Sequence, residues 1–148
     1  MSDHIIKLIP TDPFFRIDQT KASRLGKYLA AHTTAESIKI RLRSRPQFVD
    51  CGGNLDRIFC PVCGHILDMD WWTDALDAKY QDGFRSLEVT LPCCGAQRSL
   101  NDLQYYFPCG FACVEFELWN PQEEPDRACR RELGKRLGVP VRMIYCHL

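Results

Sequence analysis

The chain has 148 residues, 45% of them hydrophobic, which suits one domain with a buried core or one domain carrying a small insert. Nineteen basic residues balance nineteen acidic ones, so the global basic excess of a general nucleic-acid binder is missing. No apolar run approaches the ~20 residues that span a bilayer and no signal-peptide pattern opens the chain, while an odd count of nine cysteines reads as a reducing, cytoplasmic compartment with a metal and not as a disulfide framework.

His4 to Ile9 reads as a short apolar strand, ended by Thr11-Asp12-Pro13. Asp18 can cap a helix running to about Ala31, with Ala22, Leu25 and Leu29 on one face. From Ser37 to Arg43, Ile38, Ile40 and Leu42 alternate with Lys39, Arg41 and Arg43, the pattern of a half-buried strand. Between about Phe48 and Pro108 the chain turns rich in Cys, Gly, Asp and aromatics. This stretch carries one predicted helix, Trp71 to Gln81, with Asp70 as cap, Gly83 as terminator and Trp72, Leu76 and Tyr80 as its apolar stripe. Ser86 to Leu91 reads as a strand, and Asn101 as the cap of a helical turn through Tyr105 and Tyr106. The first pattern then returns. Phe111 to Trp119 is a strand, Glu123 to Leu137 a helix ended by Gly138 and Pro140, and Val141 to Cys146 the last strand.

Two cysteine pairs carry the chemistry. Cys60-Pro61-Val62-Cys63-Gly64 is a CPxCG knuckle: two thiolates two residues apart reach one ion, Pro stiffens the entry, and Gly lets the backbone bend so that its amides face the sulfurs. Leu91-Pro92-Cys93-Cys94-Gly95 supplies the other half of a tetrahedral sulfur shell. This second pair is irregular, because Leu91 stands where a regular knuckle has its first Cys. Adjacent side chains on an extended strand point to opposite faces, so Cys93 and Cys94 both bind only if the backbone turns sharply there. Otherwise Cys51 or His65 completes the shell. The expected cofactor is one structural zinc on Cys60, Cys63, Cys93 and Cys94, with Cys51 and His65 in reserve. A weaker second grouping combines Cys109, Cys113, Cys129, Cys146 and His147. Cys113 and Cys129 read more simply as small core residues.

Strand-helix-strand thus occurs twice, in 4–47 and 109–148, around a metal-bearing segment 48–108. The expected class is α+β: a split-βαβ, ferredoxin-like sheet with a zinc-ribbon-like insert between its second and third strands. The other arrangement left open is one continuous sheet with the zinc hairpin packed against an edge. The segments Phe48-Val49-Asp50-Cys51-Gly52-Gly53-Asn54, Cys60-Pro61-Val62-Cys63-Gly64, Leu91-Pro92-Cys93-Cys94-Gly95, Ser99-Leu100-Asn101-Asp102-Leu103 and Gly110-Phe111, in that order, resemble a group of short bacterial zinc-ribbon-containing proteins. The resemblance covers most of the chain from Phe48 onward and implies a metal-binding segment but no activity.

A closed four-ligand site leaves no open position for catalysis. His4, His32, His65 and His147 are scattered, with no metal-protease pairing. A thiol enzyme would rest on Cys51 beside Asp50, with His65 as base, and no cation or helix terminus is visibly placed to activate it. The reading favoured by the residues is a non-catalytic protein-binding module, an adaptor, inhibitor or immunity-type protein. Its contact surface would be Trp71 with Asp68, Asp74 and Asp77, suited to a basic protein partner. The second reading is a nucleic-acid-binding regulator using the basic strand Lys39, Arg41, Arg43 and Arg45 with Phe48 nearby. No membrane contact is expected.

Overall fold

The computed structural model describes residues 2–148. β1 (His4–Pro10) leads into α1 (Gln19–His32), where the Asp18 carboxylate accepts from the Lys21 amide at 2.8 Å and so caps the helix. β2 (Ser37–Val49) follows, and after a long intervening segment come β7 (Gly110–Trp119), α3 (Arg127–Leu137) and β8 (Val141–His147). These four strands form one sheet in the order β2-β7-β1-β8, every neighbouring pair antiparallel.

The register explains how the sheet buries one face. Ile38, Leu118, Ile6 and Tyr145 lie opposite one another across the four strands, and Ile40, Phe116, Leu8 and Met143 form the next row. Both rows pack under Leu25 and Leu29 of α1 and Leu133 and Leu137 of α3. Burying each such side chain contributes about 1.5–3 kcal/mol. Gly138, at φ +105°, ends α3 in the left-handed conformation that glycine adopts without a Cβ clash.

The intervening segment builds a second core. It holds β3 (Arg57–Phe59) paired with β6 (Gln104–Tyr106), α2 (Met69–Gln81), and β4 (Glu88–Thr90) paired with β5 (Gln97–Ser99). Ile58, Leu67, Trp72, Leu87, Leu91 and Leu100 cluster there against Phe111 from β7. A smaller cluster of Ile9, Val49, Cys51, Cys109, Ala112 and Ile144 fills the seam with the large sheet. Asn101 joins the two parts. Its buried side chain accepts from the Phe111 amide at 2.8 Å and donates to the Thr11 carbonyl at 3.1 Å.

Several elements differ from the sequence expectation. β2 runs on to Val49, because pairing with β7 resumes at Gln47 after a bulge beyond Leu42. Asp68, not Asp70, caps α2, and Tyr80 is 66% exposed, outside the apolar stripe. The turn at Leu100–Asp102 is capped by Ser99 and only one turn long; Tyr105 and Tyr106 belong to β6. α3 starts at Arg127, since Pro125 and the Asp126 cap stand before it.

Candidate metal centre

The two cysteine turns are built on the same plan. In the first, the Cys60 amide donates to the His65 carbonyl at 2.8 Å and the Gly64 amide to the Cys60 carbonyl at 3.0 Å. In the second, the Leu91 amide donates to the Ala96 carbonyl at 2.8 Å and the Gly95 amide to the Leu91 carbonyl at 2.9 Å. Gly64 and Gly95 share a left-handed φ, +78° and +75°. Leu91 therefore occupies the backbone slot of Cys60, and Cys94 that of Cys63. The Leu91 side chain is fully buried in the second core. The sulfur missing from slot 91 is supplied by Cys93, in the turn between Leu91 and Gly95.

The four thiols of Cys60, Cys63, Cys93 and Cys94 lie within 4.8 Å of one another, close enough to hold a metal ion. Cys60 and Cys94 are 3.8 Å apart, and Cys63 and Cys93 3.3 Å. A tetrahedral thiolate shell with bonds of about 2.3 Å has edges of about 3.8 Å, so the set fits a zinc-sized ion with small adjustments. The amides of Val62 and Cys63 donate to Cys60 Sγ at 3.3 and 3.4 Å. Burial opposes ionisation of Cys60, but these amides and the neighbouring thiols outweigh it and hold its thiol down at about 6. Burial and the surrounding thiols push Cys93 up to about 12, so the metal-free cluster resists losing all its protons.

The two reserve residues stand outside the set of four. His65 Nδ1 lies 3.2 Å from Cys63 Sγ, a partner to a ligand and outside the set of four. Cys51 lies 3.2 Å from Cys109, both buried in the seam. His65 is thus engaged with Cys63, and Asp50 with Lys7 at 3.1 Å. The cysteines from 109 onward do not gather: Cys129 belongs to the core under the helices and Cys109 to the seam. Among the described residues the Cys60 set is the one potential metal-holding group.

On α2, Trp72 is buried and donates from Nε1 to the Tyr105 hydroxyl at 3.2 Å. Trp71 is half-buried against the second core, while Asp68, Asp74 and Asp77 are exposed. Val62 in the first cysteine turn, Ile66 just after it and Met69 at the start of α2 are exposed.

Three of the four cations of the basic strand are engaged within the fold, and Arg45 forms no ion pair among the described residues. Arg41 donates to Glu117 at 2.9 Å, Arg43 to Glu115 at 3.1 Å, and the Lys39 ammonium sits 4.1 Å over the Trp119 ring. Glu115 and Glu117, which the strand alternation alone would send to solvent, are buried beneath these cations. Burial and the Glu117 carboxylate raise Glu115 to about 7; for Glu117, hydrogen bonds from Glu115, Arg41 and Trp119 overcome burial and lower it to about 2.

No protein-family model, curated protein or solved structure compared with the chain matches it. No helix among the described residues is long and apolar enough to cross a membrane.

Proposed function

We propose that the chain is a non-catalytic, zinc-stabilised protein-binding module of the adaptor, inhibitor or immunity type. In this reading a split-βαβ, ferredoxin-like sheet carries a zinc-ribbon-like insert, 48–108. The strand order β2-β7-β1-β8 with α1 and α3 over one face supports that description. Four thiolates at knuckle spacing favour zinc over harder ions, and a full protein shell leaves no open coordination position. The metal then folds and rigidifies a surface.

The observation that carries the reading is the composition of that surface. Ile66 is 59% exposed and Met69 37%, in the same short stretch as the carboxylates of Asp68, Asp74 and Asp77, which meet no basic side chain within ion-pair distance among the described residues. Exposed apolar side chains rimmed by one charge sign suit a basic protein partner. Trp71, half-buried at this edge, would be a supporting anchor. The nucleic-acid reading draws less support, because Lys39, Arg41 and Arg43 are engaged within the fold.

The test is affinity capture from the native host with the intact chain and with an Ile66→Asp, Asp74→Lys variant. A protein captured by the first and lost from the second supports the reading. Capture unchanged by the variant refutes this surface.

A further inference from the structure

A second site lies at the junction of the sheet and the insert, away from the cysteines. A cleft of about 460 Å³ opens there, and three arginines from three distant parts of the chain line it. Arg16 comes from the connection between β1 and α1, Arg45 from the β2 bulge, and Arg85 from the turn after α2. Ser44 adds a hydroxyl, Phe14 and Phe84 add rings, and no acidic residue lines the cleft. None of the three arginines forms an ion pair among the described residues, in a chain whose formal charge is zero. This contrasts with Arg41 and Arg43 on the same strand, each held by a buried glutamate.

The local backbone accounts for the convergence. The bulge between Leu42 and Gln47 takes Arg45 out of the row occupied by Arg41 and Arg43. The Arg45 stem reaches the turn that ends α2, where its Cδ lies 3.8 Å from the position a Cβ on Gly83 would take. Phe84 is held at φ +55°, an unfavourable conformation for a bulky residue, with its ring buried between Phe111 and Tyr80. That anchor fixes the turn carrying Arg85. Cys113 is buried at the wall, and burial keeps its thiol neutral, so it adds no repelling charge. The larger groove between α3 and β8, about 570 Å³, has its basic residues accompanied by Glu132 and shows no comparable convergence.

We propose that this cleft binds a small phosphate-bearing anion. Guanidinium forks match phosphate oxygens in pairs, and three of them with a hydroxyl provide enough donors for a dianionic phosphate group. The volume exceeds that of bare phosphate and falls in the range of small-molecule sites, so an organic body, flat enough to lie against the exposed Phe14 ring, fits beside it. The site is independent of the proposed protein-binding surface on α2.

The experiment is titration of the full, metal-loaded chain with adenosine monophosphate, inorganic pyrophosphate and a short single-stranded RNA, followed by calorimetry and amide NMR. One molecule of a phosphate compound should bind per chain and shift the amides of Phe84, Arg85 and Cys113. Tighter binding of the nucleotide assigns an organic body; equal binding of pyrophosphate assigns phosphate recognition alone. Arg45→Gln and Arg85→Gln should each weaken binding about tenfold, and the surface variant Arg24→Gln should not. The proposal is overturned if neither small anion shifts these amides, if Arg24→Gln weakens binding equally, or if only the RNA binds.

Discussion

The second cysteine turn offers a sharp test, because its first ligand position has moved by two residues. Leu91 holds the backbone slot of Cys60 and Cys93 supplies the sulfur. In Cys93→Ala one of four ligands is lost. Structural zinc in zinc-finger peptides contributes roughly 10–16 kcal/mol, so on the proposed zinc occupancy an equal share per ligand is about 2.5–4 kcal/mol, or on the order of a hundredfold to a thousandfold in metal affinity. In the double variant Leu91→Cys, Cys93→Ala the turn becomes a regular knuckle. The new thiol starts from the slot that lets Cys60 reach the site, so four-sulfur coordination should return. The cost is the Leu91 side chain, fully buried among Leu87, Leu100 and Phe111. Truncating such a leucine to a smaller residue costs about 2–3 kcal/mol. Cobalt(II) substitution reads the coordination directly through its thiolate charge-transfer band, and urea melts read the packing loss. The expected order is a weakened band in the single variant and a restored band with lower stability in the double. A single variant with unchanged metal affinity, or a double variant no better than the single, refutes the equivalence of the two turns.

Three further outcomes follow from the packing. Glu115 has its pKa raised to about 7 from an ordinary 4.5, so the fold favours its protonated form, and its contribution is complete below pH ~4.5 and lost as pH rises through ~7. Glu115→Gln should therefore be near neutral at pH 5 and stabilising by about 1–2 kcal/mol at pH 8 in urea titrations, after allowing for the Arg43 partner; equal destabilisation at both pH values contradicts this. Asn101→Ala should cost about 2–3 kcal/mol by leaving the buried Phe111 amide without an acceptor, as measured by chemical denaturation. Gly52→Ala should cost at least ~2 kcal/mol, because Gly52 sits at φ +72° and a Cβ would meet the His147 carbonyl oxygen at 2.2 Å, whereas Gly53→Ala meets nothing within 4 Å and should be silent.

What could be read from the sequence were features with a local cause. Asp18 before an apolar stripe marked α1, Gly138 before Pro140 marked the end of α3, and the alternation of Ile38, Ile40 and Leu42 marked a strand with one buried face. The cysteine spacing pointed to the four thiols that the fold gathers. Features set by distant partners stayed hidden. β3, β5 and β6 have three residues each, too few for alternation to register. The β2 bulge carries no Gly, and its one mark in the sequence is Pro46, which signals a bulge or an edge strand but does not say that Arg45 leaves its row. Glu115 and Glu117 alternate with apolar residues like any solvent-facing pair, and only the cations across the sheet explain their burial. Cys51 and Cys109 meet because the two ends of the insert return to one seam. The cleft arginines at 16, 45 and 85 share no spacing at all.

The central claim is that one zinc ion on Cys60, Cys63, Cys93 and Cys94 holds the insert together while the large sheet keeps a core of its own. Metal analysis coupled to amide exchange before and after chelation tests it most directly. One zinc per chain is expected, and its removal should abolish protection at Ile58, Leu67, Leu91 and Leu100 while Leu8, Phe116 and Leu118 stay protected. Protein that contains no metal yet keeps full protection across the insert would contradict the account.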